Sequence, residues 1–448
     1  MLLSSKILHD KILSIINENK NNAFVIKCII KSFEDDELNV ELDYIDAINV
    51  EENFFEKYAD DITLYVHMRP LDFMNILEFK TSLYCAIRID YIDMETGDLI
   101  LDEDPEIYYF LMFLKNTEDV FKKYHISAFS KYHEEDVPDL ESHEGSLIPI
   151  TFQLLEQDAY ELHKKYLVGM YSNVNVESML KYISKNFQIE KLDLYDVDNT
   201  VSYRHFIIPP EYSRFDQIFN YIQNKYGVYR NGLNYYFHRG IFYIYPAFDT
   251  KISRKVVLNI YRGPRNTYGG MKNYFKETID GDTTIIDIVS IGDMKSIKLT
   301  ENGLENIGTN VIFIKSDKII DKFIKLENDE FYINDDNLLN ISSSFTQSAL
   351  KNSSIPKYIK PTINLFKASS ILEQYNNELV ILTWPLARLF KVIPGAEVHF
   401  YYDKEEIQDK SGIVDSITYK IFKQKFKTDT PSFSIEAILS VRINEDIK

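Results

Sequence analysis

Short runs with an apolar side chain at every second position recur along most of the chain, and they constrain the fold more than any other feature. Phe24, Ile26, Cys28 and Ile30 share one parity, and Leu38, Val40 and Leu42 resume the alternation after the acidic turn Glu34-Asp35-Asp36-Glu37. A period of two places such residues on one face of a strand, so Ala23 to Val50 is a predicted hairpin with one solvated face. Ile62 to Met68 and Leu83 to Ile92 are further predicted strands, and Thr96-Gly97-Asp98 is a turn before Leu99 to Leu101. The pattern continues through Val256 to Tyr261, Thr284 to Ile291, Leu379 to Leu382 with Trp384-Pro385, Glu397 to Tyr402, Gly412 to Phe422 and Ser432 to Arg442. With 32 Tyr and 29 Phe against 15 Gly, the composition also favours strands. The predicted class is α+β, mostly β.

Helical signals interrupt this pattern in the middle of the chain. Val176, Met179, Leu180 and Ile183 follow the helical period behind Asn175, a suitable N-cap, with Ser178 three residues on. Phe206 to Pro210 is a short strand ended by a double proline. Ser213 then opens a second helix with Phe215, Ile218, Phe219 and Ile222 on one face, and Gly227 closes it. Asn234 to Phe237 and Ile241 to Tyr245 form a β-meander with turns at Asn231-Gly232 and, as a weaker signal, Arg239-Gly240. Pro149 to Tyr160 reads as a strand. Pro105 to Phe121 reads as a helix made ambiguous by Tyr108, Tyr109, Phe110 and Phe113. Met1 to Asn17 reads as an amphipathic segment and not a signal peptide, since Lys6, His9, Asp10 and Lys11 fall inside it.

A length of 448 residues implies two to four domains, and Asn337 to Pro361, polar and Ser-rich, is the best linker. The 69 acidic and 50 basic residues leave a net charge of −19, and all of that imbalance falls in residues 1–150, which hold 32 acids and 13 bases. Such a surface repels phosphates and gains nothing from counterion release, so DNA would pass it without sticking. Two cysteines, Cys28 and Cys85, each in an apolar run, read as buried free thiols and imply a reducing compartment. No uncharged apolar run approaches the ~18 residues that would cross a bilayer, and the chain reads as soluble.

The sequence assigns no catalytic, cofactor-binding or metal residue. His125, His133-Glu134-Glu135-Asp136 and His143-Glu144 can be drawn as a metal site, but their spacings match no helical or knuckle-type ligand pattern, and a solvated acidic loop is the simpler reading. Gly263-Pro264-Arg265 to Gly269-Gly270 has the glycines of a phosphate loop without a Gly-Lys-Ser/Thr. No Gly-x-Ser-x-Gly elbow is present. Tyr235-Tyr236-Phe237 and Phe242-Tyr243-Ile244-Tyr245 could stack sugars or bases, but alternating aromatics in a hairpin are more often core or interface. The bases around them, Arg230, His238 and Arg239, are too few for a nucleic-acid groove.

One segment narrows the reading further. Thr151-Phe152-Gln153-Leu154-Leu155-Glu156 is followed by Val174-Asn175-Val176-Glu177-Ser178-Met179-Leu180, then Phe206-Ile207-Ile208-Pro209, then Phe215 to Tyr229 with its Tyr226-Gly227-Val228-Tyr229 end, then Tyr235-Tyr236-Phe237. This order resembles the hub proteins of contractile phage tail baseplates and the hub part of type VI secretion spike proteins. Ile393-Pro394-Gly395-Ala396-Glu397-Val398, with Gly412-Ile413-Val414 and Tyr419-Lys420-Ile421, resembles the strand pair of that family's second tube domain. No segment of these 448 residues resembles the fused needle of the spike proteins, so a partner would be expected to supply it.

The resemblance implies two tube-forming antiparallel β-barrel-like domains with an inserted helical and β region. On this sequence the first would be residues 1–170, the insert 171–250, a further β region 251–340, a linker 341–370, and the second tube-forming strands 371–448. It implies a homotrimeric ring, with no enzymatic activity and no cofactor. The ring would join the tail tube protein to the central spike protein, contact other baseplate proteins and leave a channel for DNA. The protein would be a virion component assembled in the host cytoplasm, without a membrane role. The alternatives are a carbohydrate-active enzyme with an acidic pair on β-strands and a deep pocket, or another phage structural or adhesin module.

Overall fold

The computed structural model describes residues 5–16, 22–32, 39–42, 44–78, 83–93, 106–115, 147–249, 255–262, 274–290, 294–298, 310–315, 318–323, 325–327, 330–332, 366, 377–403, 407–424 and 432–444. The turns at Glu34 to Glu37 and Thr96 to Asp98, the strand Leu99 to Leu101, the histidine-acid stretch His125 to Gly145, the glycine run Gly263 to Gly270 and the linker Asn337 to Pro361 lie outside these residues.

The first part of the chain contains α1 (Ser5–Ile16), β1 (Asn22–Ser32), β2 (Asn39–Glu41), β3 (Tyr44–Asn53), β4 (Asp61–Met68), α2 (Pro70–Glu78), β5 (Leu83–Asp93), β6 (Glu106–Lys115) and β7 (Ile148–Leu155). The middle contains α3 (Gln157–His163), β8 (Gly169–Asn175), α4 (Val176–Asn186), β9 (Lys191–Leu194), β10 (Ser202–Ile208), α5 (Phe215–Lys225), β11 (Leu233–His238) and β12 (Ile241–Pro246). Then come β13 (Val256–Arg262), β14 (Phe275–Asp280), β15 (Thr283–Ser290), β16 (Lys295–Lys298), β17 (Asn310–Lys315), β18 (Lys318–Phe323), β19 (Lys325–Glu327) and β20 (Glu330–Tyr332). The chain closes with β21 (Asn377–Pro385), β22 (Glu397–Asp403), β23 (Ile407–Gln424) and β24 (Ser432–Asn444). The mostly β expectation holds.

One sheet runs β14-β15-β13-β22-β23-β3-β4-β7-β6-β5-β1-β24-β21-β16, with β2 on β1. Because β23 also pairs with β24, the path β23-β3-β4-β7-β6-β5-β1-β24 returns to its start. These strands therefore form a closed antiparallel barrel, sealed on one side by a contact between Phe24 of β1 and Phe433 of β24. Its lining follows the parity read from the sequence: Ile26, Cys28 and Ile30, Ile62, Leu64 and Val66, and Phe152 and Leu154 are all buried. The strands outside the ring form a second sheet wing, in which β13 runs parallel to both β15 and β22. Cys28 and Cys85 are free and buried on paired strands. Hydrogen bonding to Cys85 and burial hold the Cys28 thiol well above its ordinary pKa, so it stays protonated.

The barrel and the wing share one long hairpin. Along one edge, β23 pairs with β22 through Ile407 to Ile413 and with β3 through Ser416 to Phe422. A bulge between Val414 and Ser416 separates the two stretches. Gly412 sits just before it, where a Cβ would run into the carbonyl of Arg442. The bulged Asp415 carboxylate accepts from Nε of Arg442 at 2.5 Å, and its carbonyl accepts the Phe54 N–H at 3.1 Å.

The middle segment folds as an insert between β7 and β13, with its own core. On α4, Val176, Met179, Leu180 and Ile183 are buried, and Asn175 caps the helix by accepting the Ser178 N–H. On α5, Phe215, Ile218, Phe219 and Ile222 pack against Phe242 and Ile244 of the β9-β12-β11 sheet. Gly227 lies beyond the end of α5 with φ +80°. Buried Gln223 holds that turn by accepting the N–H groups of Val228 and Tyr229 and donating to the Tyr229 carbonyl.

Three local expectations need correction. Within the helix expected over Pro105 to Phe121, the described residues Glu106–Lys115 form strand β6, because this aromatic-rich run fills the gap between β5 and β7 and closes the barrel wall. The strand predicted over Pro149 to Tyr160 ends at Leu155, after which the spacing of buried Ala159 and Leu162 makes α3. Ser213 does not cap α5: its hydroxyl donates to the Pro210 carbonyl within the turn after the double proline, and the helix starts at Phe215 without a side-chain cap.

The Asp415–Arg442 pair predicts a measurable asymmetry. The two side chains are only 12% and 13% exposed, so Asp415→Asn leaves a nearly buried guanidinium unpaired and should cost about 3–5 kcal/mol in urea unfolding. The double variant Asp415→Asn with Arg442→Met should recover most of that loss, and a double-variant loss equal to the sum of the Asp415→Asn and Arg442→Met losses would show that the pair is not coupled.

Candidate functional site

The richest polar chemistry among the described residues lies where the insert meets the barrel, and the connection between β3 and β4 builds it. Asn53 turns the chain by accepting the N–H groups of Phe55 and Glu56. Phe54 is fully buried, edge-on to Tyr236 with ring centroids 4.9 Å apart. Its carbonyl accepts from Asn234, and the Phe237 N–H donates to the Tyr58 carbonyl at 2.7 Å. Residues 54–60 are thereby fastened to β11.

This clamp brings Glu52, Asp60 and His238 together. Asp60 accepts from the Tyr236 hydroxyl at 2.9 Å and meets Nδ1 of His238 at 3.1 Å. The residues are 0%, 3% and 1% exposed, and one donor atom from each lies within 4.8 Å of the others. Among the described residues, neither Glu52 oxygen nor Nε2 of His238 has a hydrogen-bond partner. Around them stand Tyr419 from β23, Glu156 from the β7–α3 junction and Arg239. The Arg239 N–H donates to Glu156 at 3.0 Å, and its guanidinium lies over the rings of Phe390 and Tyr108 at 3.8 and 4.1 Å. Arg239 and Gly240 both have positive φ, 55° and 72°, which is the backbone of a tight primed hairpin turn.

Burial and then the neighbouring Asp60 charge push the Glu52 carboxyl well above the usual carboxylate range. The same two causes, partly opposed by His238 and Arg239, raise Glu156 to about 7. Burial and Asp60 likewise hold the Tyr236 hydroxyl protonated. A site of this kind can retain a proton at neutral pH or hold a cation through Glu52, Asp60 and His238.

Beside the cluster a cleft of about 580 Å³ opens between barrel and insert, lined by Tyr58, Asp61, Gln153, Asp216, Asn220 and Tyr235 among others. Burial would raise Asp61, but hydrogen bonds and charge from Lys57 outweigh it and hold its carboxyl low. The carboxyls with raised affinity for protons, Glu52 and Glu156, do not line this cleft. A pocket with one raised and one ionised carboxyl, which the glycosidase alternative needs, is not assembled there.

The aromatic runs of β11 and β12 are core: Tyr236, Phe237, Phe242 and Tyr245 are buried. His238 and Arg239, read from the sequence as scattered bases, instead serve the buried cluster. Glu52, Asp60 and Glu156 are not singled out by sequence motifs. The signal for Glu52 is its parity, in phase with buried Ile48 and Val50 on β3.

No protein-family model matches the sequence, and no curated protein matches it. Solved structures do. The tail protein from Neisseria meningitidis MC58 is 12% identical over 95% of this chain and 97% of its own, with a TM-score of 0.44. The 43 kDa tail protein of prophage MuSo2 from Shewanella oneidensis is 12% identical over 93% and 96%, with a TM-score of 0.42. An E. coli protein described as a type VI secretion component with structural similarity to T4 bacteriophage tail proteins is 9% identical over 93% and 77%, with a TM-score of 0.40.

The raised Glu156 predicts a pH effect. As pH climbs from about 4.5 to about 7, the unfolded chain releases this proton before the folded chain does, so folding stability falls across that window. Glu156→Gln, which keeps the oxygen that accepts from Arg239, should flatten this part of the fall when thermal midpoints are followed from pH 5 to 8 in a chelating buffer. Parallel curves for the two proteins would remove Glu156 as the cause.

Proposed function

We propose that this chain is a structural hub of a contractile-tail baseplate, acting as a homotrimer that joins the tail tube to the central spike around a channel for DNA. The observation that carries the reading is the hairpin β23–β24. By belonging to a closed barrel and to a second sheet wing at once, it sets two β units side by side in a single chain. Three copies around an axis would then present six β units, which matches a hexameric tube on one side and a threefold spike on the other. In this reading residues 1–170 and 371–448 supply most of the two β units, and residues 171–250 form a docking region at their edge.

The surface fits extensive association. Tyr109 is 64% exposed and Ile107 45% on the outer wall of β6, while Tyr65 and Phe422 emerge beside Ala47 on β4 and β23. On the insert, Tyr166 and Met170 are 72% and 69% exposed. Apolar side chains grouped like this are the usual material of protein interfaces. The acidic balance of residues 1–150 suits a channel wall that lets DNA pass. Among the described residues no helix is long and apolar enough to cross a membrane.

Light scattering on the purified full chain tests the assembly. The expected species is a trimer of roughly 158 kDa, three times 52.7 kDa, that forms a defined complex when mixed with the tube and spike proteins of the same particle. Tyr109→Asp should weaken self-association by about tenfold or more while leaving the unfolding of the separate subunit unchanged. A monomer at tens of micromolar that binds neither protein would overturn the proposal.

A further inference from the structure

The buried cluster at the barrel–insert seam has the composition of a metal centre. We propose that Glu52, Asp60 and His238 bind one divalent cation of the zinc class, which fastens the β3–β4 connection of the barrel to the β11 strand of the insert. Nothing in the hub reading requires this ion.

Two features support it. First, the ligand set is right: two carboxylates and one imidazole form a mixed nitrogen and oxygen shell common for Zn²⁺ and its neighbours. Their donor atoms already lie within 4.8 Å of one another, where a tetrahedral zinc shell sets them about 3.4 Å apart, so side-chain rotations would bring the three to ligand distance and leave one position for a further oxygen. Second, the Glu52 and His238 atoms that a cation would take are unused among the described residues, while Asp60 already accepts from the Tyr236 hydroxyl and meets Nδ1 of His238. Both oxygens of Glu52 and Nε2 of His238 are buried without a hydrogen-bond partner, an arrangement that is costly for a carboxylate sealed from water.

Around the three stand Glu156, Arg239, Tyr236 and Tyr419. Asp60 also holds the His238 ring by meeting its Nδ1 at 3.1 Å, which leaves Nε2 as the nitrogen open to a cation. The three ligands come from two places far apart in sequence, Asp60 and His238 being separated by 178 residues, so the ion would act as a cross-link between units.

The test uses the full chain, stripped with EDTA and dialysed into metal-free buffer. Titration with Zn²⁺ by calorimetry should show one tight site per chain, and saturation should raise the thermal midpoint. Glu52→Gln preserves shape and should weaken that site by about 100-fold or more, as should Asp60→Asn. Both variants keep a buried side chain of the same size, and far-ultraviolet circular dichroism confirms that each is folded. If one fails to fold, the other decides. Under a purely structural reading, Glu52→Gln would stabilise the metal-free protein and neither protein would take up Zn²⁺. That result overturns the proposal, as does stoichiometric binding that survives unchanged in a folded variant, because the ion would then sit elsewhere. Failure here leaves the hub reading intact, since the trimer is measured separately.

Discussion

The pairing of β23 with β24 is the contact on which the rest of the structure depends. Its register runs from Gly412 opposite Ile443 to Gln424 opposite Ser432, long enough for each strand to serve two sheets along its other edge. A uniform hairpin of that length would simply extend one sheet. The bulge at Asp415 changes this by reorienting β23 between its contacts with β22 and β3. Asp415 then works in both directions: its side chain engages Arg442 on the partner strand, and its carbonyl receives Phe54 from the β3–β4 connection. The connection in turn carries Asp60 to Tyr236 and His238. A single irregularity in the ladder thus fixes where the polar seam can form.

That seam differs in kind from the contacts that stabilise the two units separately. The barrel has its aliphatic interior and the insert has a core of Phe215, Phe219, Phe242 and the buried faces of α4 and α5. Between them lie Asn234, Asp60, His238 and Glu156, each held by directed contacts to a named partner. Apolar packing alone tolerates sliding and repacking, whereas a buried carboxylate tolerates only the arrangement that satisfies it. Arg239 shows the same logic in a more forgiving form. Its charge offsets nearby carboxylates while its plane stacks on Tyr108 of the barrel and on Phe390 from the segment between β21 and β22.

How much of this could be read in the sequence depended on the range of the interaction concerned. The period-two runs located β1, β4, β5 and β21 to β24, since alternation is a local consequence of one buried face. Asn175 and Gly227 marked helix ends for equally local reasons, a side-chain acceptor and a positive φ. The failures came where tertiary context overrode local pattern. Glu106–Lys115 satisfies neither period cleanly, and only the open edges of β5 and β7 make it a strand. Ser213 was a suitable cap whose hydroxyl the preceding proline turn claimed first. The buried cluster was the least legible part, because Glu52 and His238 stand in different units and nothing near either one in sequence names the other. A charged residue in phase with Ile48 and Val50 was the one available sign.

Closure also decides how each half can meet another copy. Each barrel strand has a neighbour on both sides around the ring, although β1 meets β24 only at Phe24 and Phe433, and on the outer wall Tyr109, Tyr65 and Phe422 stand exposed. The wing is different: among the described residues its sheet ends at β14 and β16, and strand edges pair readily with other strands. On β14, Lys276, Glu277 and Asp280 interrupt that edge with charge, while Ile279 lies 74% exposed among them. Charged edge strands resist indiscriminate pairing and accept only a partner with a matching pattern. One chain therefore combines a wall whose exposed faces carry apolar side chains with a sheet edge interrupted by charge, two surfaces that would select partners by different means.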